Sequence, residues 1–306
     1  MRPNPLLTDL GFSPSDRVVI FHADDIGMCE ATVGAYADLL DAGTLSSAAL
    51  MVPCVAAAEG AAVARAHPNA DLGVHLTITS EWAEFRWGPV SSRDRAGGLL
   101  DAEGFFPRGT AEIQASGRPE AVRRELAAQV DRARAWGVDI THMDSHMGAL
   151  AHPKFLPGVM ALSRQEGVPA MYPRHGIRGW RAQGFDLAGA AVAWQYGRAL
   201  ERRRFPLVDH LYMLPLHEGG DHLEVTRRAL RELPPGITHF ILHPAQDTPE
   251  LRAIAPDWPG RVANYEAFRD PRMKDVIAQS GVQVMGYRPL RDWMRANRPA
   301  RPAAAS

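Results

Sequence analysis

Cysteine is scarce in this chain, long apolar runs are missing and net charge is almost nil, and each shortage removes a class of protein. Two cysteines, Cys29 and Cys54, among 306 residues are too few for a disulfide framework or a thiolate zinc site. No run of 18 or more uncharged apolar residues occurs, so no membrane span is expected. The 34 basic and 35 acidic residues leave a formal net charge of −1, whereas nucleic-acid binders carry a basic excess or stripe. The opening residues MRPNPLLTDLGFSPSDR lack the basic, then apolar, then small-residue order of a secretory signal. The expected setting is therefore reduced and cytoplasmic, with no nucleic-acid partner. An oligomer is compatible with the sequence, but no feature sets the state.

What is present is an alternation of short apolar runs with longer helical patterns, the mark of a mostly parallel sheet with helical crossovers. Strands are expected near Val18–His22, Ala48–Val52, Leu72–Leu76, Ile140–Met143, Ala170–Tyr172, Leu207–Leu211, His239–Leu242 and Val282–Met285. Helices are expected over Cys29–Ala42, which stops at Gly43, and over Pro119–Trp136, Phe185–Arg204 and Leu223–Leu233. Eight strands with crossovers fit an α/β fold, a single-domain (β/α) barrel that is distorted or incomplete; a doubly wound open sheet is the alternative. Ser80–Gly117, rich in Gly, Ser and aromatics, has no clean period; a loop of that length is usually functional or mobile, and this one is expected over the barrel mouth. Arg295–Ser306 reads as a solvated, disordered end.

Four segments carry candidate chemistry, each at the carboxyl end of an expected strand, where barrel enzymes assemble their sites. His22-Ala23-Asp24-Asp25-Ile26-Gly27 follows the first run; adjacent carboxylates repel unless a cation or a division of labour stabilises them. Gly73-Val74-His75 ends the third run, and Thr141-His142-Met143-Asp144-Ser145-His146 ends the fourth. There one imidazole can bind a metal while a nearby carboxylate orients it through the other ring nitrogen. Phe240-Ile241-Leu242-His243-Pro244 holds a histidine at a strand end with proline as the stop. Taken together, two histidines and a carboxylate with an open position describe a hydrolytic metal site or an iron oxygenase triad.

In the order and spacing of Ala23-Asp24-Asp25-Ile26-Gly27, Gly73-Val74-His75, His142-Met143-Asp144-Ser145-His146 and His243-Pro244-Ala245, the chain resembles the YdjC-like carbohydrate deacetylases, relatives of the polysaccharide deacetylases. The resemblance implies one barrel domain over residues 1–294, with 80–117 inserted, that removes acetyl groups from N-acetylated sugars. It implies one divalent metal held by Asp25, His75 and His146, with Asp24 as general base and His243 as general acid. By ligand softness the donors suit zinc, cobalt, nickel or iron, and the resemblance admits magnesium. Two departures stand out. Met147-Gly148-Ala149 follows where the family often has further histidines, and His22 stands where it commonly has Asn.

The expected reaction uses metal-activated water: the cation lowers the pKa of its water from about 15.7 toward about 7, Asp24 takes the proton, and His243 donates to the departing nitrogen. Arg174, after the fifth run, is a candidate to orient Asp24 or bind a substrate oxygen. Trp82, Trp87, Phe105 and Trp180 either stack on sugar faces or pack a lid. Cys29 and Cys54 read as inert. The competing functions are another single-metal barrel hydrolase, such as a phosphoesterase, and a non-catalytic carbohydrate-binding relative.

Overall fold

The computed structural model describes residues 3–217 and 219–297. Its frame is a set of parallel strands: β1 (Arg17–Ile26), β2 (Ser47–Leu50), β3 (Leu72–Leu76), β4 (Met143–Ser145), β5 (His210–Met213), β6 (Gly236–Leu242) and β7 (Gln283–Val284). The ladder runs β4-β3-β2-β1-β6-β5, with β7 against the start of β1. Single bridges Met143↔Ala170 and Pro173↔Val208 span the remaining arc, which makes a distorted, incomplete (β/α) barrel. The expected strand at Ala170–Tyr172 is reduced to those bridges because Pro169 and Pro173 flank it and neither has an N–H to donate. The fourth strand starts at Met143 rather than Ile140, although Thr141 N–H already bonds Leu72 O.

β1 is central and buried on both faces, as a parallel strand between helices and interior must be. One face reads Val18, Ile20, His22, Asp24, two residues apart. Its lower half is apolar: Val18 and Ile20 pack with Ile237, Met285 and Tyr287 and with Leu6 and Leu7 of the short helix Pro5–Asp9. That helix was not anticipated; it closes the amino end of the barrel, each buried Leu or Ile contributing about 1.5–3 kcal/mol. The upper half of the same face is polar and ends at the site.

The helix expected at Cys29–Ala42 spans Glu30–Ala42 and stops at Gly43 with φ 67°. Those expected at Pro119–Trp136, Phe185–Arg204 and Leu223–Leu233 run Pro119–Ala135, Leu187–Arg202 and His222–Glu232. Segment 80–117 is pinned: Trp82, Trp87 and Phe106 are buried, and Arg86 bonds Ser80 Oγ, Asp101, Glu103 and Phe106 O. Trp82, Trp87 and Trp180 are buried side chains, so they pack rather than offer a face to a sugar. The final helix, Arg288–Ala296, takes in the first two residues of the expected tail; 298–306 lie outside the described residues.

Candidate metal centre and active site

Because the strands are parallel, the ends of β1, β3, β4 and β6 deliver Asp24, Asp25, His75, Asp144, His146 and His243 to one end of the barrel. Neighbouring strand residues normally face opposite ways, so Asp24 and Asp25 need a device to face together. β1 carries one: its register against β2 goes from Ala23↔Ala48 to Ile26↔Leu50, three steps against two. This bulge re-aims the chain, and Asp25 takes φ 62°, a left-handed conformation costing on the order of 1–3 kcal/mol outside glycine.

The Asp25 Oδ1 atom lies 3.3 Å from His75 Nε2 and 3.1 Å from His146 Nδ1, and the three donor atoms lie within 4.8 Å of one another. Bonds of about 2.1 Å at tetrahedral angles put donors roughly 3.4 Å apart, so the set fits one divalent cation. Each donor is held from behind. His75 Nδ1 meets Asp144 Oδ1 at 2.7 Å, Arg261 Nη1 donates to Asp25 Oδ2 at 2.8 Å, and His146 Nε2 lies 3.1 Å from Glu81 Oε2. Such backing fixes ring orientation and ligand basicity.

Asp24 sits alongside. Its Oδ1 is 2.7 Å from His22 Nδ1, and its Oδ2 faces His75 Nε2 at 3.8 Å and His243 Nε2 at 3.7 Å. Burial pushes the pKa of both aspartates up, but His75 and His22 draw Asp24 below its ordinary value, and Arg261 and His146 draw Asp25 well below it. Burial lowers the imidazoles too. Asp144 and Asp24 nevertheless hold His75 well above its ordinary value, and Glu81 and Asp25 raise His146 to about 9. At His243 burial wins over Asp25 and Asp24 and the pKa is lowered. Its Nδ1 is buried with no hydrogen-bond partner among the described residues, and its backbone N–H is fixed by Asn264.

Five of the six site residues read from the sequence are thus brought together. Arg174 is not among them. Its guanidinium is bound to Asp209 at 2.7 Å and to Glu201, and the cation at the site is Arg261, from the helix Trp258–Arg269 and braced by Asp257. Arg261, Asp257 and Glu81 were missed, because a lone charge on an amphipathic helix or in a loop looks solvated. Cys29 and Cys54 are buried thiols whose pKa values burial pushes up, as inert cysteines should be.

Residues 18–279 match the family model described as YdjC-like protein. The chain is a YdjC-like protein. It is 34% identical over 281 residues to a carbohydrate deacetylase of Thermus thermophilus, covering 90% of this chain and 94% of the relative. It is 27% identical to one of Geobacillus stearothermophilus, covering 89% and 97%. Among solved structures, a "putative cellobiose-phosphate cleavage protein" of Enterococcus faecalis V583 superposes with TM-score 0.72 at 20% identity, covering 90% of this chain and 99% of the other. At that identity the likeness speaks for the fold alone.

Proposed function

We propose that this YdjC-like protein is a metal-dependent carbohydrate deacetylase that hydrolyses the N-acetyl amide of an amino sugar, such as an N-acetylglucosamine oligosaccharide. One observation carries the reading: Asp25, His75 and His146 converge through single donor atoms, while Asp24 Oδ2 beside them lies 3.8 Å from His75 Nε2 and 3.7 Å from His243 Nε2, beyond hydrogen-bond reach. The named relatives support the acetylated-sugar class.

Asp25, His75 and His146 would hold a divalent cation, which when bound would supply Lewis acidity and lower the pKa of a water toward neutrality. Asp24 Oδ2 accepts the proton of the attacking water. The carbonyl carbon becomes tetrahedral, the C–N bond breaks, and the nitrogen leaves with a proton. His243, kept neutral by burial, carries that proton from Asp24 at its Nε2. This refines the general-acid role: His243 acquires its proton during the cycle. The groups behind the donors hold them in place, which is the main service of residues that never touch substrate.

The test is an acetate-release assay on N,N′-diacetylchitobiose beside an aryl phosphate, paired with elemental analysis of the purified protein. One equivalent of divalent metal and free acetate are expected. Phosphate release without acetate, or full acetate release after exhaustive chelation, overturns the reading.

A further inference from the structure

The geometry points to His22 as the positioning residue for Asp24, set in turn by a hydrogen-bonded chain that runs from Asp24 through His22, His142 and Thr141 to Asp71. The inference rests on the role given to Asp24 above.

The chain has a direction, because each member has a fixed supply of protons. Asp71 is faced by donors: Ser47 Oγ at 3.0 Å, Thr141 Oγ1 at 2.6 Å and the Arg288 backbone N–H at 2.6 Å. The Thr141 hydroxyl has one proton and donates it to Asp71. Its oxygen therefore accepts from His142 Nδ1, 3.0 Å away. Burial and the neighbouring His22 hold the pKa of His142 well below the ordinary value, so that ring carries one proton, spent on Thr141. Its bare Nε2 faces His22 Nε2 at 2.7 Å, and His22 must donate there. The Asp24 carboxylate only accepts, and it lies 2.7 Å from His22 Nδ1. His22 donates from both nitrogens. It pins Oδ1 with a charge-assisted bond and leaves Oδ2 for the reaction.

The surroundings are built for this arrangement. A Cβ at Gly73 would overlap the His142 ring, and one at Gly286 would overlap the Asp71 carboxylate. The Tyr287 ring stacks on His142 at 4.0 Å and 16°. His22 is also faced by His239, with ring centroids 4.5 Å apart, and by Asp144 Oδ2 at 3.7 Å. A second cation among His22, Asp24, Asp144 and His239 is the rival use of these groups. It would require His22 to give up one of its two 2.7 Å contacts.

The test has two independent arms. In protein with 15N-labelled histidine, assigned by difference against His22→Asn, both ring nitrogens of His22 should carry protons, as its two 2.7 Å donor contacts require. His142 should carry its proton on Nδ1. In kinetics on N,N′-diacetylchitobiose, His22→Leu should lower kcat by about 10–100-fold, the value of a hydrogen bond to a charged group, with KM within about twofold. His22→Asn, whose amide can again donate to Asp24, should recover part of the loss. Thr141→Val should lower kcat less, and Thr141→Ser should restore it. A singly protonated His22, a His142 proton on Nε2, loss appearing in KM instead of kcat, or two bound metal ions per chain overturns the inference. Should the wild type release no acetate, the deacetylase reading fails, while the ring-nitrogen signals still decide the direction of the chain.

Discussion

At the barrel mouth, His75 and His146 face Asp24, Asp25, Asp144 and Glu81; one step deeper, His142 and His239 face His22, the Tyr287 ring and each other's neighbourhood. All four rings are buried, and burial alone lowers each pKa. Carboxylates reverse that at the mouth, lifting His146 to about 9. In the deeper group imidazole neighbours deepen it, taking His239 to about 3. Close carboxylate contacts, rather than depth, separate the two pairs: Asp144 lies 2.7 Å from His75 and Asp25 and Glu81 lie 3.1 Å from His146, whereas at His243, 3.7 Å from Asp24, burial wins. A cation entering the mouth would displace protons from His75 and His146, whereas the lowered pKa values of His142 and His239 leave those two rings neutral already.

The largest break in this comparison comes from removing one mouth residue at a time. His75→Ala should lose both bound metal and acetate release, because one of three donors is gone and Asp144 is left facing a gap. Asp24→Asn should keep metal and lose about 10²–10⁴-fold in kcat, the range for a general base. Metal content by elemental analysis beside kcat separates them. Equal metal loss in both variants would mean that Asp24 is a ligand and that the division between the two aspartates is wrong.

A sharper probe uses pH. The raised pKa of His146 means the metal-free protein keeps that proton at pH 7, and His75 shifts the same way. Stability from the raised His146 is fully present below its unfolded value of 6.5 and is lost as pH rises through about 9. Metal needs the neutral ring, so affinity should climb about tenfold per pH unit for each proton displaced until that value is passed. Chelator competition with zinc at several pH values between 6 and 9, with proton release measured alongside, reads this directly. An affinity flat across the range would contradict the charged mouth.

Much of this was legible because strand ends are legible. Leu72–Leu76 was found residue for residue, and Asp24, Asp25, His75, His146 and His243 each close an apolar run or follow one. The parallel order then brings these strand ends to one side of the barrel, and the bulge in β1 turns Asp25 to join Asp24. What could not be read is whatever arrives from a distant helix or loop. Arg261 reaches Asp25 across 236 residues of chain, and Glu81 meets His146 only because buried Trp82 and Trp87 pin segment 80–117. Arg174 failed for the opposite reason: it follows an extended segment as the others do, yet Glu201 and Asp209 claim it. The bulge at Asp25 leaves no trace in a pattern of apolar and polar letters.

The smallest effect belongs to the deeper group and tests its other sign. His239 has a pKa lowered to about 3 against an ordinary 6.5. The unfolded chain therefore takes up a proton that the folded one refuses, and the folded state loses stability as pH falls below 6.5. At pH 5 that difference is about 2 kcal/mol. His239→Asn keeps an acceptor for the Tyr287 hydroxyl, which now lies 2.9 Å from His239 Nδ1, and it cannot titrate. Denaturant unfolding of metal-free wild type and variant at pH 8 and pH 5 should show the variant gaining relative to the wild type at the lower pH, whatever their offset at the higher. A constant offset would place the low-pH sensitivity on the mouth residues instead and erase the contrast between the two groups.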